Sequence, residues 1–179
     1  MRAILLIFFM LGLSASSHAQ EYTRRQVEAY NSGLDAARAG NYQRAFNFYF
    51  EACSYDVLEG CVNLGRLYED GLGVSQDLER ARVYYHRACR YGNAVGCFNE
   101  GLMYENGLGV TRNFHYAAQK YLQACDGGDA EGCFNLGGLH LEGHGVAQDR
   151  SRAAEFYRRA CDGGYENACH NLDLLRGGR

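Results

Sequence analysis

Proline is absent from this 179-residue chain, and lysine occurs once, at Lys120. A chain without proline carries no obligatory helix breaker, which suits helices joined by tight glycine turns. Basic residues are not in excess: 18 face 21 carboxylates, for a formal charge of −3. Nothing in that balance offers a phosphate-binding surface, so nucleic acid is not an expected partner. The apolar run from Ala3 to Leu13 is too short to span a bilayer, which takes about 20 residues. No cysteine precedes Cys53, which excludes lipid attachment near the amino terminus.

The first residues instead read as an export signal. Arg2 supplies a positive start, the apolar run follows, and Ser17-His18-Ala19 offers small residues for cleavage after Ala19. Residues 20–179 would form the mature, periplasmic or secreted chain, with no membrane span. Eight cysteines behind such a signal indicate disulfides before they indicate metal.

The cysteines stand at 53 and 61, 89 and 97, 125 and 133, and 161 and 169, so each pair recurs after 36 residues. The intervening residues keep the same period. Asn63-Leu64-Gly65 matches Asn99-Glu100-Gly101 and Asn135-Leu136-Gly137. Gly71-Leu72-Gly73-Val74 returns as Gly107-Leu108-Gly109-Val110 and Gly143-His144-Gly145-Val146. Tyr49, Tyr85, Tyr121 and Tyr157 share one column, as do Ala52, Ala88, Ala124 and Ala160. Such a period marks a solenoid, in which one unit cannot bury its own apolar face.

Each unit reads as two helices. The first, over residues 59–70 in the first full repeat, has Leu64, Leu67 and Tyr68 at helical spacing. The glycine turn ends it, and Asp77, Asn113 and Asp149 stand where a cap opens the second helix. The tyrosine column is expected to be core. Repeats are placed at about 58–91, 94–127 and 130–163. The preceding hairpin, about 24–54, lacks four turn residues, so Gly40-Asn41 joins its helices directly. A lone helix at about 166–175 follows the last repeat. Both end units read as caps. The expected fold is all-α, an α/α superhelix of about nine helices with four disulfides.

The run Leu64-Gly65-x-x-Tyr68-x-x-Gly71-x-Gly73-Val74-x-x-Asp77-x-x-x-Ala81-x-x-x-Tyr85-x-x-Ala88 resembles the Sel-one-like repeat, a relative of the tetratricopeptide repeat. The added cysteine pairs resemble the secreted, cysteine-rich Hcp-like subgroup. The resemblance covers about Asn31 to Leu175. It implies first helices lining a concave face and a protein-interaction role, and the chain is expected to be a monomeric scaffold for a protein or peptide partner. It also implies an alternative, because some cysteine-rich members are described as binding or slowly hydrolysing β-lactams and the subgroup is often named β-lactamase.

Pairing within a hairpin, such as Cys61 with Cys89, would leave Cys53 opposite Ala29 and Cys169 with no partner. Only the short pairing, 53–61, 89–97, 125–133 and 161–169, uses every cysteine. Zinc sites need thiolates grouped in fours, and redox catalysis favours C-x-x-C, so a structural role is expected.

Catalytic motifs are missing. S-x-x-K fails because Ala117 stands three residues before Lys120. His140, Glu142 and His144 form H-x-E-x-H rather than the zinc motif and replace template positions, so they are read as ordinary substitutions. Lys120 occupies a column otherwise held by Phe48, Tyr84 and Phe156, and its stem is expected to snorkel. No catalytic residue, metal ligand or cofactor is assigned. Tetratricopeptide geometry would turn the column Val62, Phe98, Phe134 and His170 to the concave side, with Arg66 and Leu102 one turn on. Phe98 and Phe134 could be anchors of a binding groove or packing between repeats, and the residues alone leave both open.

Overall fold

The computed structural model describes the backbone of residues 2–177 and the side chains of residues 20–177. The apolar run Ala3 to Leu13 and the expected cut after Ala19 fall outside the described side chains. Among the described residues there are nine helices and no strand. They are α1 (Arg2–Arg38), α2 (Tyr42–Ser54), α3 (Leu58–Asp70), α4 (Leu78–Arg90), α5 (Ala94–Asn106), α6 (Phe114–Asp126), α7 (Ala130–Glu142), α8 (Arg150–Asp162) and α9 (Glu166–Gly177). Each packs mainly on its neighbours in sequence, which builds a one-dimensional array.

The hairpin turns follow from their residues. Gly71, Gly107 and Gly143 take φ of 68°, 71° and 75°, the left-handed region that glycine enters without steric cost. Asp77, Asn113 and Asp149 then accept from the first free amides of α4, α6 and α8, at Arg80, Tyr116 and Arg152 among others. Each of these caps also returns its own amide to the preceding first helix, at the carbonyls of Tyr68, Tyr104 and His140. The shortened first turn uses Gly40, with Asn41 capping Arg44. α1 is already helical well before residue 24. No proline interrupts it, and the pairs Glu21–Arg25 and Arg24–Glu28 run along that stretch.

Inside each hairpin a glycine meets a tyrosine. A Cβ on Gly65 would stand 2.6 Å from the Tyr85 ring, and Gly33, Gly101 and Gly137 meet Tyr49, Tyr121 and Tyr157 in the same way. The tyrosine column is therefore core, with Tyr85 and Tyr121 fully buried. Between hairpins, bridges join Cys53–Cys61, Cys89–Cys97, Cys125–Cys133 and Cys161–Cys169, each linking the end of a second helix to the next first helix. Gly60, Gly96 and Gly132 allow the same close approach against Ala52, Ala88 and Ala124.

Candidate binding site

The column assigned to the concave face takes three different environments. Val62 is a correction: it is 4% exposed, inside the first core cluster, and offers no surface. Phe98 is half-buried against Tyr121, with ring centres 5.9 Å apart. Phe134 lies between Tyr157 and Tyr165, at 5.4 and 4.9 Å. Both phenylalanines pack on the tyrosine of their own hairpin's second helix, and Phe134 also reaches the junction with α9 at Tyr165. Leu102 is half-buried, and Arg66 and His170 are exposed. The acids flanking this face are engaged as well: the Tyr85 hydroxyl donates to Glu69 at 2.6 Å, and that of Tyr121 donates to Glu105. Burial first, and these carboxylates next, push both phenols well above the ordinary tyrosine range. The first-helix face is thus polar and internally bonded, without an exposed apolar centre at the two phenylalanines.

The second-helix side differs from one repeat to the next. Between α2 and α4 the groove is filled by aromatic rings: Phe46 meets Tyr68 edge-on at 5.5 Å, and Tyr84 stacks on Tyr68 at 5.6 Å. Between α4 and α6 the counterparts of Phe46 and Tyr84 are charged, Arg82 and Lys120. Glu100 replaces the leucine of the Leu64, Leu136 and Leu172 column and is 1% exposed. The His86 Nδ1 lies 2.9 Å from its Oε1, and the Lys120 Nζ lies 3.0 Å from its Oε2. The second contact is ionic and lacks hydrogen-bond alignment. Lys120 therefore answers a buried carboxylate instead of snorkelling to water, which corrects the expectation for it. The sequence did carry the signal: opposite charges replace two apolar template positions within one repeat.

Between α6 and α8 the groove opens into a cleft of about 700 Å³. Leu122, Leu136 and Phe156 supply apolar lining, and Leu122 is 42% exposed. His140 stacks on Phe156 at 5.5 Å and is 6% exposed. Its Nδ1 donates to the Ala147 carbonyl at 3.2 Å, which leaves Nε2 as an acceptor with no protein partner. His115, at the rim, is bonded at both nitrogens, by Gly145 and Gln119. Arg152 stands on the other rim beside Asp149, 3.8 Å away. The Asp149 carboxyl is held below its ordinary range by Ser151 and by the amide of Arg152. His144 lies in the turn, stacked on Phe114 and paired with Glu142, so it does not converge with His140. Among the described residues no group of three or more His, Cys, Asp or Glu is placed to hold a metal.

A chain of helical hairpins stacked in sequence order and stapled by one disulfide per junction is an α-solenoid. The Sel1 repeat matches residues 28–54, 58–93, 94–129 and 130–165, and the chain belongs to that family. Among curated proteins it is 33% identical over 73 residues to "Putative beta-lactamase HcpD" of Helicobacter pylori strain 26695, covering 41% of this chain and 24% of that one. It is 42% identical over 45 residues to "Putative beta-lactamase HcpE" of H. pylori strain J99, covering 25% and 13%. The chain thus spans about a quarter of HcpD and less of HcpE. Among solved structures, a Sel1 repeat protein from Oxalobacter formigenes superposes with a TM-score of 0.78 at 29% identity, over 82% of this chain and 60% of that one. The H. pylori cysteine-rich protein B gives 0.61 at 32%, over 74% and 95%. The protective antigen c5321 of uropathogenic Escherichia coli gives 0.78 at 27%, over 82% and 32%. Four disulfides in a chain with such relatives suit an extracellular or periplasmic setting. Among the described residues no helix is long and apolar enough to cross a membrane.

Proposed function

We propose that this is an exported scaffold, matured by cleavage after Ala19, which holds a protein or peptide partner. The observation that supports this reading is the cleft between α6 and α8: an apolar lining, an exposed leucine at its wall, and one histidine acceptor left unpaired. Protein partners place an aromatic or aliphatic anchor in such a pocket and one directed hydrogen bond beside it. A rigid array of stapled hairpins presents that pocket already formed, which lowers the ordering cost of binding. A β-lactam-hydrolysing role draws on the names of relatives alone; the one lysine is engaged by Glu100. The test is affinity capture from the native compartment under non-reducing conditions, with the unsubstituted chain and Leu122→Glu side by side. The expected result is one or more partners held by the former and released by the latter. Failure of the unsubstituted chain to hold any protein, together with turnover of a chromogenic cephalosporin, overturns the scaffold reading.

A further inference from the structure

The two helix layers carry opposite charge. α2, α4, α6 and α8 hold ten arginines and lysines against five carboxylates. α3, α5, α7 and α9 hold two arginines against nine carboxylates. Four of the six exposed large apolar side chains on these helices stand on the basic layer, Phe50, Val83, Tyr116 and Leu122 at 42–52% exposure, whereas Val95 and Leu174 lie on the acidic one. An apolar and basic surface with a ready cleft complements a ligand that is apolar and acidic. Resting on the scaffold reading, we infer that the partner is an acidic peptide segment that docks on the second-helix layer and seats one aromatic side chain in the α6–α8 cleft.

The details of the cleft select that occupant. The lining from Leu122, Leu136 and Phe156 takes a ring, and the free Nε2 of His140 accepts from a ring N–H or O–H. Tryptophan and tyrosine offer both features. Arg152 is 65% exposed at the rim, and the Asp149 carboxylate beside it is occupied by the amides and hydroxyl at the start of α8. The guanidinium therefore keeps donors for a partner carboxylate. A concave cleft of this size suits a side chain better than the flat surface of an anionic bilayer.

Fluorescence anisotropy with three labelled peptides tests the inference on the oxidised full chain. The first carries one tryptophan flanked on each side by Asp-Glu-Asp, the second replaces that tryptophan with alanine, and the third has Lys-Arg-Lys flanks. The first should bind, the second should be weaker by about tenfold, and the third should not bind. Leu122→Glu and Arg152→Glu should each weaken the first peptide by about tenfold or more, and higher salt should weaken it further. Arg66→Glu, on the other layer, should leave its affinity within about twofold. Both cleft positions are exposed, and Leu122→Ser with Arg152→Gln repeats the test should either glutamate variant fail to fold. Equal binding of the basic peptide, or insensitivity to the cleft variants, overturns the inference. So does binding of phosphatidylglycerol vesicles without binding of the first peptide. Should the cleft variants keep the native partner while Arg66→Glu releases it, this inference falls and the scaffold reading stands.

Discussion

Glu100 shows what a charge costs when it occupies a leucine position. Its carboxylate is nearly water-free, and its two partners differ: Lys120 is 16% exposed, whereas the His86 side chain is about half exposed. Removing the lysine leaves a buried carboxylate without its permanent cation. Lys120→Met should therefore cost about 3–5 kcal/mol, the scale for breaking a buried pair. Glu100→Leu should cost less, because the Lys120 ammonium can swing along its stem to water. The double change Glu100→Leu with Lys120→Phe restores the apolar template, and it should be neutral or stabilising by about 1–4 kcal/mol. Urea unfolding of the three variants measures all of this. A double variant less stable than Lys120→Met contradicts the assignment. Tyr85 and Tyr121 make a second residue-scale prediction. Their folded phenols are raised above the unfolded value of about 10, so their contribution is fully present below that pH. It is lost as pH rises beyond it, because the unfolded chain ionises first. A spectrophotometric titration should show these two rings ionising only together with loss of helical signal.

At the scale of helices, the glycine–tyrosine contact sets how closely a hairpin closes. Adding a methyl at Gly101 drives it into the Tyr121 ring at 2.6 Å, and a ring wedged between two helices has little room to move. Gly101→Ala should cost about 1–3 kcal/mol by overpacking, although alanine is the better helix former. Thermal unfolding decides it, since a gain in melting temperature would mean that helix propensity outweighs the contact. Each disulfide closes a short loop and should contribute about 2.5 kcal/mol by loop entropy. These elements were legible in the sequence because their causes are local and repeated: caps, left-handed glycines and apolar spacing recur at one period. The grooves were not legible in the same way. They depend on departures from the template, such as Glu100, Lys120 and His140, and only packing shows which departures meet. Phe98 and Phe134 illustrate the limit, since their spacing admits a groove or a core, and the structure leaves each ring half-buried against a neighbouring tyrosine. Phe134→Ala should accordingly lower stability by about 2–3 kcal/mol, somewhat less than a fully buried ring.

Across the whole molecule, the apolar core divides at α5. One cluster runs from Ala36 to Met103, and the other from Ala117 to Leu172, with Phe98, Leu102 and Tyr104 leaning on the second. The Cys89–Cys97 bridge, packed with Ala124, forms a small third cluster at the junction. Glu100 stands between the two large clusters, where its leucine counterparts would extend one into the other. In a linear array, stability is the sum of unit terms and neighbour interfaces, so a junction with a buried charge is the weakest joint. Native-state hydrogen exchange of the oxidised chain at rising urea should then resolve two opening units, α2–α4 and α6–α9, with separate free energies. The amides of α5 should follow the less stable of the two. Glu100→Leu with Lys120→Phe should merge the units into one and steepen the urea dependence, because more surface is then exposed in a single step. One common opening free energy in the unsubstituted chain would show that the disulfide and the shared faces of α5 couple the halves more strongly than the buried charge separates them.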